Sequence, residues 1–123
     1  MAQKAKKILV VEDEKPMARA LELKLKNEGF DITVAYQGKE AIEKLDKEKF
    51  DLVICDLIMP QVDGFGVLKH IKDKKINTKA VVASNLSQED DKKKAEKLGA
   101  IDFLVKSDIP IAEIVKKVKG YLK

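Results

Sequence analysis

Carboxylates, a hydroxyl group and an ammonium group stand directly after short apolar runs in this sequence. Glu12 and Asp13 follow the first run, Asp56 the third, Ser84 the fourth and Lys106 the fifth. Taken singly, an acid or hydroxyl after a strand usually forms a turn, and one lysine among many is a surface group. Their repeated position predicts a site, because the carboxyl ends of parallel strands meet at one edge of a sheet.

The three carboxylates predict a site for a hard divalent cation. Mg²⁺ is held in proteins by one or two carboxylates together with waters and phosphate oxygens. Three acids against Mg²⁺ and Lys106 give a site close to neutral, which a phosphoryl donor can approach. Asp56 could then attack phosphorus and form an aspartyl phosphate. Since phosphoryl transfer requires mainly positioning and charge neutralisation, we expect Lys106 and Ser84 to contact the transferred group.

Five strands with intervening helices must position these residues. The β-rich runs lie at 8–11, 32–36, 52–55, 80–83 and 101–105. Three are continuous apolar stretches, as expected for strands covered on both faces. The first helix is predicted to begin near Pro16 and end near Gly29, and the fourth to begin at a capping signal formed by Ser87 and Asp90. Five strand–helix repeats predict one α/β domain with a doubly wound parallel sheet.

The basic composition does not by itself indicate nucleic-acid binding. The chain has 24 lysines and one arginine against 21 acids, for a net charge of +4. The lysines occur on every predicted helix and alternate with acids, with no helix-turn-helix motif or aromatic platform, so we expect no direct DNA binding. A lysine-rich composition is equally typical of heat-adapted proteins. No apolar run approaches a membrane span, and the start does not resemble a signal peptide.

The single cysteine and single histidine exclude further classes of site. One cysteine cannot form an internal disulfide, and the reducing cytoplasm is the expected location. One histidine argues against histidine-based zinc chemistry. Cys55 is predicted to be a buried, inert thiol. His70, on a lysine-rich helix, is predicted to face solvent and not to take part in phosphorelay.

Several segments together resemble the receiver domain of two-component response regulators. They are Val10 to Glu14, the run from Asp51 to Gly64, Ser84, and Leu98-Gly99-Ala100 leading to Lys106. The resemblance covers essentially the whole chain, and its most specific part is Asp-Leu-Ile-Met-Pro followed by Asp-Gly. It implies a flavodoxin-like (βα)5 fold with strand order 2-1-3-4-5. Residues 1–123 are expected to form one receiver domain, with residues 1–6 as a flexible leader.

The resemblance also implies a role for each acidic residue. Asp56 would be the phosphoacceptor. Asp13 and Asp56 would bind Mg²⁺ directly, with Glu12 acting through water and the backbone carbonyl of Ile58 completing the ligands. Glu12 and Asp13 stand where the family more commonly has two aspartates. The charge is the same, but the first carboxylate is carried on a longer side chain.

Beyond the acids, the resemblance implies two catalytic contacts and a switch. Lys106 and Ser84 would contact the phosphoryl group. Ser84 also matches the switch hydroxyl, and Phe103 the switch aromatic, where tyrosine is commoner. Two neighbours depart from the pattern: Asn85 stands where a small residue is usual, and Ser107 stands in place of the usual proline.

The implied function is a phosphorylation-activated signalling switch rather than a turnover enzyme. Its phosphoryl donor would be a histidine kinase or histidine phosphotransfer protein. Its output surface would be formed by the fourth helix, fifth strand and fifth helix, and would act on a protein that the sequence does not identify. We expect a monomer or a weak, phosphorylation-dependent homodimer. Two alternatives remain open: a phosphate sink or relay intermediate without its own output, and a receiver fragment of a larger regulator.

Other functional classes fit less well. A flavin or dinucleotide binder should have a glycine- or Ser/Thr-rich loop after the first strand, but Glu12 to Pro16 is acidic and glycine-free. A phosphatase with an aspartate nucleophile there would typically carry Asp-x-Asp, which is absent. A degenerate receiver used only as a scaffold is disfavoured because every charged site group is present.

Overall fold

Parallel β-strands and the helices that cover them account for most of residues 5–123, the part of the chain that the computed structural model describes. The strands are β1 (Lys7–Val11), β2 (Asp31–Ala35), β3 (Leu52–Cys55), β4 (Lys79–Ser84) and β5 (Ala100–Val105). The helices are α1 (Lys15–Asn27), α2 (Gly38–Lys47), α3 (Gly64–Asp73), α4 (Glu89–Lys97) and α5 (Ile111–Tyr121), and a 3-10 turn spans Lys106–Asp108. The strand order is β2-β1-β3-β4-β5, which confirms the predicted doubly wound fold. The first four residues of the expected leader lie outside the described part.

The sheet has an apolar core on each face. Side chains alternate along β1, so Leu9 and Val11 enter one core while Ile8 and Val10 enter the other, and all four are buried. Helices α2, α3 and α4 close the first core, and α1 and α5 close the second. Burying a side chain of this size contributes about 1.5–3 kcal/mol. Burial on both faces explains why the central strands are continuous apolar runs.

Helix boundaries agree with the sequence except at the start of α4. Pro16 is the second residue of α1, and Gly29, just after the helix, has a positive φ of 93°. The expected cap at Ser87 is wrong: α4 begins at Glu89, and Gln88 is its N-cap without a side-chain cap bond. The acidic first turn of α4 complements the positive end of the helix dipole instead.

His70 and Cys55 are both sheltered from solvent. The prediction that His70 faces solvent is wrong, because its side chain is only 16% exposed and Nε2 lies 2.8 Å from Asp46 Oδ1. This contact joins α3 to α2, which pack side by side. Cys55 is fully buried as predicted, and burial raises the pKa of its thiol.

The strand register brings the predicted site residues to one edge of the sheet. Val11 pairs with Cys55, so Glu12 and Asp56 both follow this pair. Ser84 pairs with Val105, the residue before Lys106. The ladder extends beyond the strands, since the Asp56 backbone N–H donates to the Val11 carbonyl at 3.0 Å. None of the helices described above has the length and apolar character that a bilayer crossing requires.

Candidate functional site

Three carboxylates converge at the carboxyl end of the sheet. Glu12, Asp13 and Asp56 each place an oxygen within 4.8 Å of the other two. Glu12 is 2% exposed and Asp56 is 5% exposed, whereas Asp13 faces solvent. Buried carboxylates at this separation repel one another and lose hydration, so they require positive charge nearby.

Lys106 supplies one of those positive charges. Its Nζ donates to Glu12 Oε1 at 2.7 Å and to Asp56 Oδ2 at 2.9 Å, and the side chain is 8% exposed. Glu14 Oε1 lies further away, at 3.6 Å. Burial alone would lower the pKa of Lys106, but the hydrogen bonds to Glu12 and Asp56 outweigh it and raise the pKa above its usual value. Lys106 is therefore a cation at neutral pH.

Glu12 is the acid most strongly perturbed by this arrangement. Burial, assisted by the charge of Asp56, raises the pKa of Glu12 to about 7, against the opposing hydrogen bonds from Lys106 and from the Glu14 backbone. With all groups ionised, the three acids and Lys106 carry two net negative charges. An all-oxygen donor set with this charge fits a hard divalent cation such as Mg²⁺.

The loop after Asp56 is held by backbone contacts. The N–H of Ile58 donates to Asp56 Oδ1 at 3.2 Å, and the N–H of Gly64 donates to the Leu57 carbonyl at 3.1 Å. A Cβ on Gly64 would lie 2.2 Å from the Asp56 carbonyl oxygen, so only glycine fits there. Asp63 caps α3 by accepting from the Gly66 N–H at 3.0 Å. These contacts fix the backbone that presents the Asp56 carboxylate.

Ser84 is the last residue of β4, and Phe103 lies on the neighbouring strand β5, two residues before its end. Ser84 is fully buried, and its Oγ accepts from the Leu86 N–H at 3.3 Å. Within residues 5–123, this hydroxyl makes no hydrogen bond to the three carboxylates. Phe103 is half-buried and, with Lys92 and Ala95 of α4, lines a cavity of about 460 Å³. The switch roles of Ser84 and Phe103 stay predictions.

Two contacts at the site were not predicted from the sequence. Glu14 donates its backbone N–H to Glu12 Oε2 at 3.1 Å, which helps orient that carboxylate. Asn85 Oδ1 accepts from the Ser107 backbone N–H at 3.0 Å and so joins two loops. The only signal in the sequence was that Asn85 and Ser107 both depart from the receiver pattern.

Known proteins similar to this chain share its fold. A family model described as "Response regulator receiver domain" matches residues 8–119. The receiver domain of the Francisella response regulator 1452 is 33% identical with a TM-score of 0.87, covering 94% of this chain and 95% of that one. The Thermotoga maritima response regulator TrrA, solved in complex with Mg²⁺-BeF, is 34% identical with a TM-score of 0.83, covering 94% and 98%. A CheY-like receiver from Methanospirillum hungatei, 21% identical, reaches a TM-score of 0.90 over 96% and 94% and supports the fold.

Proposed function

The chain belongs to the response regulator receiver family, and we propose that it is a signalling switch in which Asp56 accepts a phosphoryl group with the help of Mg²⁺. One observation carries this proposal: Lys106 Nζ bridges the buried carboxylates of Glu12 and Asp56, with Asp13 alongside. Such a cluster has little purpose in stabilising the fold, because replacing buried ionic groups with apolar ones is often neutral or stabilising. It is suited to binding a metal and a phosphoryl group.

The acidic cluster supplies the metal ligands. Asp13 and Asp56 would bind Mg²⁺ directly, Glu12 would bind it through water, and the Ile58 carbonyl would complete the protein ligands. When bound, Mg²⁺ neutralises charge on the carboxylates and on the oxygens of the transferred group. The mutual proximity of the three carboxylates supports this assignment, as does the Mg²⁺-BeF complex of the Thermotoga relative.

Phosphoryl transfer then proceeds by direct attack. A carboxylate oxygen of Asp56 forms a bond to phosphorus as the bond from phosphorus to the donor breaks, and the electron pair of that bond leaves with the donor. Lys106 moves from the carboxylate to a phosphoryl oxygen, where its positive charge stabilises the developing negative charge. The Ser84 hydroxyl turns from the Leu86 N–H and donates to another phosphoryl oxygen.

Phosphorylation changes the surface formed by α4, β5 and α5. As the Ser84 hydroxyl moves, Phe103 turns inward and shifts the population between two conformations of this surface. The half-buried position of Phe103 beside the cavity under α4 leaves room for such a movement. The phosphoryl donor is a histidine kinase or histidine phosphotransfer protein, and the protein works in the cytoplasm as a monomer or weak phosphorylation-dependent dimer. Residues 1–123 act as one receiver domain, a phosphoacceptor rather than a turnover enzyme.

The test is labelling with a small phosphodonor such as acetyl phosphate, followed by intact-mass measurement. The unaltered chain should gain one phosphoryl group when Mg²⁺ is present and none when EDTA removes it. Asp56→Asn should gain none, whereas Asp73→Asn, on the exposed side of α3, should behave like the unaltered chain. Labelling of Asp56→Asn, or labelling without Mg²⁺, would overturn the proposal.

A further inference from the structure

Asn85 joins the loop that follows Ser84 to the turn that begins with Lys106. Its Oδ1 accepts from the Ser107 backbone N–H at 3.0 Å, across a sequence separation of 22 residues. Ser107 can donate because it has a backbone N–H, which a proline at this position would lack. The two departures from the receiver pattern are thus the two partners of one hydrogen bond.

This hydrogen bond lies next to Lys106 in the chain and borders the same cavity. Asn85 and Ser107, together with Glu14, Met17 and Lys106, line a cavity of about 190 Å³. Both partners are solvent-exposed, whereas the Lys106 side chain, which contacts Glu12 and Asp56, is buried. The bond therefore holds the backbone next to Lys106, while Glu12 and Asp56 hold the ammonium group.

Two kinds of contact hold Lys106 in the unphosphorylated protein: the hydrogen bonds of its ammonium group and the hydrogen bond of the backbone next to it. Only the backbone contact stays in place during phosphoryl transfer. Before phosphorylation, the ammonium group is held by Glu12 and Asp56. In the proposed transfer the Lys106 side chain would leave these carboxylates for a phosphoryl oxygen, and its backbone would then determine where the ammonium group points. The backbone N–H of Ser107, the next residue, is held by the Asn85 side chain. Misplacing a charged group by a fraction of its hydrogen-bond length weakens transition-state stabilisation.

We propose that Asn85 is a positioning residue that holds the Lys106 turn in place for phosphoryl transfer. This inference rests on the proposed function. Asn85 does not contact the phosphoryl group in this proposal. Its role depends on the acceptor oxygen of the side chain and not on the size of the side chain.

The experiment compares Asn85→Ala and Asn85→Asp with a matched control, Asn77→Ala, an exposed amide at the opposite edge of the sheet. The labelling rate of the full chain is measured with saturating acetyl phosphate across a Mg²⁺ titration. Exchange of the Ser107 amide proton is followed by NMR in the unphosphorylated protein. Asn85→Asp retains the acceptor oxygen, so it serves as the conservative variant.

Asn85→Ala should lower the labelling rate at saturating Mg²⁺ by about threefold to tenfold, the size of effect that loss of one hydrogen bond produces. Its apparent Mg²⁺ affinity should stay unchanged, and its Ser107 amide should exchange faster. Asn85→Asp should restore slow exchange and recover most of the rate, and Asn77→Ala should alter neither.

Two results overturn the inference alone: equal labelling rates in Asn85→Ala and Asn77→Ala, or a rate lost in step with Mg²⁺ affinity, which would indicate general loosening of the site. Failure of the unaltered chain to be labelled overturns the proposed function as well. The two failures are therefore distinguishable, because only the second affects the unaltered protein.

Discussion

Lys106 is the residue on which the electrostatics of the site depend. Its ammonium group is the only cation that bridges Glu12 and Asp56 within the part of the chain that the structure describes. Breaking a buried ion pair leaves uncompensated charge in a poorly hydrated place, which is more costly than losing an exposed pair. Removing Lys106 alone should therefore destabilise the fold, because it leaves Glu12 and Asp56 without their cation, even though the cluster as a whole is not needed for stability.

Lys106→Met keeps the length of the side chain but removes its charge. We expect the free energy of unfolding in urea at pH 8, without Mg²⁺, to fall by about 3 kcal/mol, the usual size for one partner lost from a buried pair. Lys69→Met is the control, because Lys69 pairs with Asp73 on the exposed surface of α3 at 2.5 Å and such pairs contribute little. Equal effects of the two substitutions would contradict this account.

The raised pKa of Glu12 predicts how the free energy of unfolding depends on pH. Its pKa is raised from 4.5 to about 7, so the native state binds a proton more tightly than the unfolded chain does. Stabilisation by that proton is complete below about pH 4.5 and is lost as the pH rises through about 7. In urea unfolding without Mg²⁺, Glu12→Gln should therefore remove a decline in stability between these pH values. The same pH profile for Glu12→Gln and the unaltered chain would refute the raised pKa.

At the scale of elements, the start of α3 is the most constrained junction at the site. A Cβ on Gly64 would lie 2.2 Å from the Asp56 carbonyl oxygen and 2.7 Å from the Leu57 Cα. Both are backbone atoms, so the clash can be relieved only by moving the loop that carries Asp56. The close approach therefore couples packing of α3 to the position of the proposed phosphoacceptor.

Gly64→Ala should lower the free energy of unfolding by about 1–3 kcal/mol through overpacking, and it should also slow labelling of Asp56. Gly120→Ala is the matched control, because Gly120 lies within α5 and nothing lies within 4 Å of an added Cβ. That control should be unchanged or stabilised by at most about 0.5 kcal/mol, since alanine is the better helix former but Gly120 is the penultimate residue of α5. Chemical denaturation of both variants checks the pair, and a neutral Gly64→Ala would contradict the model of this junction.

Strands and helices could be predicted from the sequence where burial determines the pattern of apolar residues. The run Leu52 to Cys55 is apolar throughout because β3 is covered on both faces, and β3 begins and ends where the sequence predicted. The strand order came from family resemblance, since local pattern carries no information on which strands are neighbours. The cap predicted at Ser87 failed because Ser, Gln and Glu in succession offer several starting points for α4, and only the local backbone decides among them.

The sequence indicated which residues lie together only where a general property of the fold determines it. That Glu12 and Asp56 lie close together follows from a general property of parallel sheets, so the sequence indicated it. The environment of His70 depends on how α2 packs against α3, and the Asn85–Ser107 bond depends on two loop conformations. Neither is determined by local periodicity, so tertiary structure was needed to reveal them.

For the whole molecule, the net charge of +4 and the local charge of the site have opposite signs. Lysines are dispersed over the surface, whereas the ionised carboxylates and Lys106 leave two negative charges at the sheet edge. A divalent cation should therefore bind the native protein through this local field. A ligand that binds only the native state raises the free energy of unfolding by RT ln(1 + L/Kd), where L is the free ligand concentration.

Mg²⁺ at about ten times its Kd should raise the free energy of unfolding by about 1.4 kcal/mol. Asp13→Asn should lose most of this increment. Asp31→Asn should keep it, because Asp31 is the first residue of β2 and lies at the amino end of the sheet. Urea unfolding with and without MgCl2, at ionic strength matched with NaCl, measures the difference. The same increment in both variants would place the ion elsewhere on the protein.

The most direct test of the central claim is to identify the residue that carries the phosphoryl group. After labelling with acetyl phosphate and Mg²⁺, reduction with borohydride converts an acyl phosphate to an alcohol that peptide mass spectrometry can locate. We predict one modified position, Asp56, and none when EDTA is present. A modified Glu12 or Asp13, a modified residue elsewhere, or an unmodified chain after prolonged incubation would contradict the assignment of Asp56 as the phosphoacceptor.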